Sequence, residues 1–324
     1  MTAPALVRAL GAAAEGAAHP RHRSSPHVPC PDCGRNATLL ADRPDGTVVR
    51  HGRAVAKAHA PDTDTAALAV RVAAAAHPLL AGILLPPLAP PAVHADAGPL
   101  TVWPYGAPVD PTAPDAAPWE EAAELLTRLH TVPPHALPGP LPPMRGPAKA
   151  SRALARLRAV PPGPAAEPVL KVWRNLPAWA RGEAPAPRNT HLCHGDLHLG
   201  QLVRHPVAHG SWQLIDIDDL GLGDPAWDLA RPAAWYAAGL LAPEAWGRFL
   251  AAYRSAGGPA VRPEGDPWTE LDVPARALTA QTAALALAKS AAESRSLDEA
   301  ERLMLDSCAR IAALPQELAV GEPS

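Results

Sequence analysis

His191-Leu-Cys-His194-Gly-Asp196-Leu-His198-Leu-Gly-Gln201 is followed by Leu214-Ile-Asp216-Ile-Asp218-Asp219 and then by Gly223-Asp224-Pro-Ala-Trp-Asp228-Leu-Ala230. Five Asp lie within residues 216–228, interleaved with Leu and Ile that favour burial. Carboxylates that close repel one another when half-buried, unless a cation or hydrogen-bond donors compensate. A hard divalent cation is the simplest compensator. Mg2+ takes oxygen ligands, commonly one or two protein carboxylates, and fills its shell with water and phosphate oxygens. Asp216 with the amide oxygen of Gln201 supplies such a pair, and Asp196 is left to orient an attacking hydroxyl. That combination is phosphoryl-transfer chemistry.

The rest of the chain limits what surrounds this stretch. It has 324 residues, enough for one large domain or two modest ones. With 29 basic and 32 acidic residues the formal net charge is −3, which gives no general drive toward nucleic acid or anionic lipid. No apolar run reaches the ~18–20 residues of a membrane span, and no signal-peptide block is evident. Four Cys do not make a disulfide framework, so a cytoplasmic location is expected. Only four of the basic residues are Lys (Lys57, Lys149, Lys171 and Lys289), so each Lys merits inspection.

Residues 1–35 mix Ala, Pro, His and Arg without periodicity and read as a mobile arm. From 36 to 102 the pattern is a small β-rich lobe. Strand-like runs at 37–43, 47–51 and 53–59 precede a helix that runs from the Asp62/Asp64 N-cap types to Ala76, and strands at 82–85 and 99–103 follow. A hinge is expected at 103–108. Residues 109–324 read as a helical lobe, with helices near 117–131, 147–160, 166–180, 225–239, 243–256, 274–293 and 297–313, interrupted by the polar β island quoted above. The expected class is therefore α+β.

These motifs, in this order, resemble the aminoglycoside phosphotransferase and choline kinase family of small-molecule kinases. His194-Gly195-Asp196 matches the family's His-Gly-Asp catalytic loop, with Gln201 at the place of an Asn. Ile215-Asp216 matches the metal-binding strand, and Gly223–Ala230 matches Gly-Asp-Pro-x-x-Asp-Leu-Ala in full. Leu125-Leu-Thr-Arg-Leu-His130 resembles the family's Leu-x-x-Leu-His helix, and the likeness spans about residues 37–257. His-Leu-Gly-Gln here is similar to maltokinase-like members. The resemblance implies a protein-kinase-like two-lobed fold, with an antiparallel sheet and one helix in the N-lobe and the acceptor site in the C-lobe. It implies ATP or GTP as donor, Mg2+ as cofactor, and a small-molecule hydroxyl as acceptor. Asp196 is then the catalytic base, Asp216 the principal Mg2+ ligand, Gln201 the second, and Asp218 within reach of another ion. Lys57 contacts the α- and β-phosphates, while the backbone of Val102, Trp103, Tyr105 and Gly106 faces adenine. Asp224 and Asp228 hold the loop through backbone hydrogen bonds.

One expected part is missing. No Glu occurs between Glu15 and Glu120, so the helix after the third strand cannot supply the acid that usually pairs with the strand Lys. The phosphate-covering turn is also thin, with Gly46 alone. Without nucleotide, Lys57 is therefore expected to contact Asp216, and no acid of the 64–77 helix to reach it. Weaker readings stand beside this one. A nucleotide-sensing, catalytically dead protein would also lack the helix acid, and a metallohydrolase would use His191, His194 and His198. Cys30 and Cys33 have the spacing of a zinc knuckle that His22 and His27 could complete, against two free thiols. Trp227, Trp235, Trp246 and Trp268 read as core more readily than as a sugar-stacking wall. Cys193 and Cys308 read as buried small hydrophobes. Glu264, Asp266, Glu270 and Asp272 would suit a polycationic aminoglycoside, although a neutral sugar fits Gln201 equally well.

Overall fold

The computed structural model describes residues 4–19, 37–43, 46–94, 97–161, 163–207 and 209–314. In chain order the elements are α1 (Pro4–Ala18), β1 (Thr38–Arg43), β2 (Gly46–His51), β3 (Ala54–His59), α2 (Thr65–Ala75), β4 (Ala92–His94), β5 (Gly98–Pro104) and β6 (Ala107–Pro108). There follow α3 (Trp119–Thr131), α4 (Gly146–Arg158), α5 (Ala166–Asn175), β7 (His191–Cys193), β8 (Leu202–His205), β9 (Ser211–Leu214) and β10 (Gly221–Gly223). The chain ends in α6 (Ala226–Ala238), α7 (Pro243–Ser255), α8 (Trp268–Glu293) and α9 (Glu299–Ala313).

Packing divides the chain into two units. The first takes Met1–Thr112, His135–Pro142 and Gly200–Asp218, and the second takes Ala113–Pro134, Pro143–Leu199 and Asp219–Ser324. This differs from the simple boundary expected near residue 108. The segment that carries Gln201, Asp216 and Asp218 joins the first unit because β8 pairs with β6 and β9, while Leu214 exchanges backbone hydrogen bonds with Ile83 and Leu85.

In the first unit the antiparallel sheet has the order β1-β2-β3-β5-β4. Side chains alternate across a strand, and on β3 that alternation separates two tasks. Ala54, Ala56 and Ala58 face a buried cluster with Val49, whereas Lys57 and His59 take the other face. The alanines are small enough to let a helix lie close, and that helix is α1. The mobile-arm expectation is therefore corrected for residues 4–18: Leu10, Ala14 and Ala18 recur every fourth position and are fully buried on the alanine face. An Ala-rich helix gives a weak periodic signal, because its buried and exposed faces are both small. Gly11 allows the approach, since a Cβ there would lie 2.9 Å from the Cβ of Ala37. The Arg53 guanidinium donates to the Ala18 carbonyl and caps the helix end. The zinc-knuckle residues Cys30, Cys33, His22 and His27 lie outside the described residues.

Two smaller differences concern edges. Residues 82–85 are not a strand of the sheet; Leu84 makes a single parallel bridge to Leu214. The short edge strand β4 had no hydrophobic alternation to reveal it, since all three of its residues are exposed. In the second unit α8 starts at Trp268 and carries Pro274 in its second turn, so the helix begins a turn and a half before the proline. A Pro there removes one hydrogen bond without ending the helix.

Leu10→Ala removes the fully buried anchor of α1. It should destabilise the protein by ~2–4 kcal/mol, whereas Leu79→Ala, 45% exposed, should stay within ~0.5 kcal/mol. Urea denaturation of the three proteins checks this, and equal midpoints for all three would show that α1 does not belong to the core.

Candidate active site

In the first unit, Lys57 lies on the central strand with Val48 and Thr101 as its cross-strand neighbours. Its Nζ donates to Asp216 Oδ1 at 2.6 Å and approaches Asp218 Oδ2 at 3.0 Å. The contact expected from the missing helix acid is present. Asp64 does not compete for Lys57, because its Oδ1 accepts from the Ala66 and Ala67 N–H groups and caps α2. Burial alone would lower the Lys57 value, but the two carboxylates outweigh it and hold the ammonium above its usual range. Asp218 is held below its usual range against the opposing effect of burial, by Lys57 and by the His59 ring.

A hydrogen-bond chain that the sequence did not suggest stands behind Asp218. His59 Nδ1 is 3.2 Å from Asp218 Oδ2, His59 Nε2 is 2.9 Å from the Thr101 hydroxyl, and Trp103 Nε1 donates to that hydroxyl at 2.8 Å. A neutral ring with its proton on Nδ1 satisfies all three links, because the hydroxyl then accepts from Trp103 and donates to His59. Asp216 sits at φ 63, in the left-handed region that Asp visits more readily than most residues. Gln201 is buried, with Nε2 3.5 Å from Asp216 Oδ2.

Among the residues expected to face adenine, several backbone groups are already engaged inside this unit. The Val102 carbonyl accepts from Leu88 at 2.9 Å, the Tyr105 N–H donates to Arg53 at 2.7 Å, and the Tyr105 carbonyl faces His205 Nδ1 at 3.2 Å. These three groups of the expected adenine edge over Val102–Gly106 are thus engaged within the fold. Two glycines permit close approaches. A Cβ on Gly46 would meet the Ala58 carbonyl at 2.9 Å and Lys57 Cε at 3.3 Å, and one on Gly106 would meet the Val203 side chain at 2.4 Å.

The second unit carries Asp196 on the loop after β7. That loop is fixed by Asp228, on the first turn of α6, whose carboxylate accepts from the His194 and Gly195 N–H groups at 2.7 Å each. His130 Nε2 makes a third contact to it at 2.9 Å, and His130 Nδ1 is 2.7 Å from the Tyr253 hydroxyl, which accepts from Ala260 N–H. Asp224 instead accepts from Ala226 N–H at the start of α6 and pairs with Arg188, so of the two aspartates it is Asp228 that bonds the backbone of this loop. Gly195 has φ +84, and a Cβ there would lie 2.5 Å from the Asp219 carbonyl.

Asp196 itself pairs with Lys149 at 2.7 Å through Oδ2 and with Arg231 through Oδ1. Burial pushes its carboxyl up, but Lys149 and Arg231 win and bring it down to about 2. His198 is lowered to about 4, by burial first and then by Arg231. Neither Lys149 nor Arg231 was singled out as a site residue, although the scarcity of Lys was the one available signal for Lys149. The histidines 191, 194 and 198 do not assemble a metal set. Among the described residues the close grouping of such ligands is His130, Cys193 and Asp228, whose carboxylate is already saturated by donors. Cys193 and Cys308 are buried thiols, Trp227 and Trp246 are core, and Trp235 and Trp268 are half-buried. No helix among the described residues is long and apolar enough to cross a membrane.

Known proteins share this architecture. A choline/ethanolamine kinase family protein from Mesorhizobium loti superposes with a TM-score of 0.57 at 17% identity, covering 96% of this chain and 95% of that one. A thermostable mutant of aminoglycoside phosphotransferase APH(4)-Ia, in ternary complex with AMP-PNP and hygromycin B, gives 0.55 at 15%, covering 86% and 93%. The GDP complex of wild-type aminoglycoside 2'-phosphotransferase-IIIa gives 0.53 at 15%, covering 89% and 96%. At these identities the likeness shows the protein-kinase-like fold. No curated protein matches the chain by sequence. The model of the phosphotransferase enzyme family matches residues 45–268, a span that holds Lys57, Asp196, Gln201, Asp216 and Asp218. The chain belongs to that family, and is a phosphotransferase that acts on a small molecule.

Proposed function

We propose that the protein moves the γ-phosphoryl group of ATP or GTP to a hydroxyl of a small molecule. The observation that carries this reading is the Lys57–Asp216 pair, 159 residues apart in sequence and 2.6 Å apart in the fold. A cation suited to phosphates and a carboxylate suited to a metal are thereby held in one place. The AMP-PNP and GDP bound to the structural neighbours support a nucleotide donor, and the hygromycin B supports a small hydroxylated acceptor.

The residues fit Mg2+. Asp216, Asp218 and the Gln201 amide offer oxygen donors only, which suits a hard cation, and in this structure the Lys57 ammonium is the positive charge that the two carboxylates hold. Asp216 and Gln201 would hold the ion, with Asp218 as a further oxygen donor; bound there, Mg2+ neutralises charge on the phosphates. Lys57 leaves the carboxylates for phosphate oxygens when nucleotide binds. Trp103 and Gly106 offer the adenine edge, with Val102 and Tyr105 shaping it. Asp196 receives the hydrogen bond of the acceptor hydroxyl. Held near 2, it is a weak base and a strong orienter, which suits a loose transition state that asks for little proton removal before the phosphoryl group departs.

Asp196→Asn should lower transfer by about 10²–10⁴-fold and leave nucleotide affinity within about threefold, because the carboxylate serves the acceptor. Coupled nucleotide-consumption assays and calorimetry measure the two, and near wild-type turnover would sink the role. Asp216→Ala should abolish the Mg2+-dependent part of nucleotide binding; calorimetry with and without the metal reads this directly, and an unchanged Mg2+ dependence would remove Asp216 from the site. The pH dependence of stability follows from the depressed Asp196 value. A carboxyl lowered in the folded state stabilises above its unfolded value, about 3.9, and that contribution is lost as pH falls through about 2. The Asn variant should therefore lose stability less steeply than wild type between those two values, in urea titrations at stepped pH.

A further inference from the structure

Residues two apart in a strand share a face, so Lys57-Ala-His59 on β3 and Thr101-Val-Trp103 on β5 each offer a pair of polar side chains to one side of the sheet. Lys57 pairs directly with Thr101, which makes His59 and Thr101 diagonal neighbours within side-chain reach. The sheet register thereby builds a chain of bonds: His59 Nε2 lies 2.9 Å from the Thr101 hydroxyl, and the Trp103 Nε1–H donates to that hydroxyl at 2.8 Å. Thr101 is fully buried and His59 is nearly so.

At its other end the chain meets Asp218 Oδ2, which both Lys57 Nζ, at 3.0 Å, and His59 Nδ1, at 3.2 Å, approach. The two groups are not equivalent. Lys57 has a flexible stem, is shared with Asp216 at 2.6 Å, and is the group that phosphate draws away under the proposed transfer. His59 is a planar ring bonded at both nitrogens, so it cannot turn without breaking its bond to Thr101. Its contact with Asp218 therefore does not depend on where Lys57 goes.

We infer that His59 is a positioning residue for the divalent-cation site: it fixes the direction of the Asp218 carboxylate, and Thr101 and Trp103 fix His59. The inference rests on the reading of Asp216, Gln201 and Asp218 as the oxygen donors for Mg2+. Hydrogen-bond partners of a ligating carboxylate commonly govern metal affinity by about 10–100-fold. A carboxylate already held in one orientation also loses less rotamer freedom when it takes up an ion. His59 offers no oxygen of its own and acts through Asp218.

The test is calorimetric titration of the full chain with AMP-PNP and with GMP-PNP, each in excess Mg2+ and in EDTA, and the quantity read is the gain in affinity that Mg2+ brings. His59→Leu, which removes both ring nitrogens, should reduce that gain by about tenfold or more and leave the affinity in EDTA unchanged. His59→Asn should keep most of the gain, because its amide nitrogen takes the place of the ring Nδ1 and still donates to Asp218. Thr101→Val, which keeps the shape of the side chain and removes the hydroxyl, should fall between the two. Thermal melts establish that each variant is folded, and if the leucine variant does not fold the Thr101→Val result decides. An undiminished gain in folded His59→Leu or Thr101→Val, an equal loss in His59→Asn and His59→Leu, or an equal loss of affinity in EDTA would overturn the inference. Asp216→Ala separates this failure from that of the site itself. If Asp216→Ala loses the gain and His59→Leu keeps it, the positioning role alone is defeated, whereas a wild type that gains nothing from Mg2+ defeats the metal site and the role of His59 with it.

Discussion

The Asp228 carboxylate is fully buried and would be prohibitively costly there without donors. It meets three, the His194 and Gly195 N–H groups and the His130 ring, and in doing so fixes the turn from which Asp196 projects. His130 can serve as a donor because Tyr253 accepts from Ala260 and turns its own proton toward His130 Nδ1. Burial pushes the Tyr253 phenol further up, so that proton stays in place. Residues from α3, α6 and α7 thus converge on one carboxylate, and the Asp196 loop inherits its rigidity from them. A loop set by a helix-borne acid can carry a half-buried carboxylate such as Asp196 without using it to fix the loop backbone.

The same logic of compensated charge recurs on the sheet. Lys57 could not sit on a central strand unless its ammonium were answered, and with no acid on α2 the answer comes from the segment after β9. The φ 63 backbone at Asp216 turns the chain immediately beyond β9, and Asp218 follows two residues later on the same turn. The register of β8 and β9 against β6 and Leu84 is therefore what decides whether Lys57 has partners.

How much of this the sequence disclosed depended on the range of each interaction. The three-strand meander, α2 with its Asp64 cap and the helices of the second unit are local patterns of alternation, capping and periodicity, and they were readable within a residue or two at most ends. The candidate site residues stand out because they sit in short motifs of fixed spacing. What stayed hidden was long-range or low in contrast. Arg231 looks like an ordinary helix Arg after Asp228-Leu-Ala, and Lys149 like a surface Lys before Arg152. Only the fold brings both to Asp196. Helix α1 was hidden by composition, since Ala on Ala leaves little amphipathic contrast, and the shift of 200–218 into the first unit depends on strand pairing that no local pattern specifies.

The His59 chain shows how a missing part can be replaced without restoring its sequence signature. In the usual arrangement one helix carboxylate holds the strand Lys, and that acid has no other task. Here Asp218 takes the Lys57 contact and is itself steadied by His59, which leans on Thr101 and through it on Trp103. Thr101 is fully buried and pairs directly across from Lys57 in the sheet, so the support comes from the neighbouring strand and needs no helix movement. A Lys held by a helix acid can be switched by moving the helix. A Lys held through the sheet moves only if the sheet does, or if a stronger anion takes it. Under the proposed transfer, phosphate oxygens are such an anion, and the nucleotide itself is then the agent that opens the Lys57 pair.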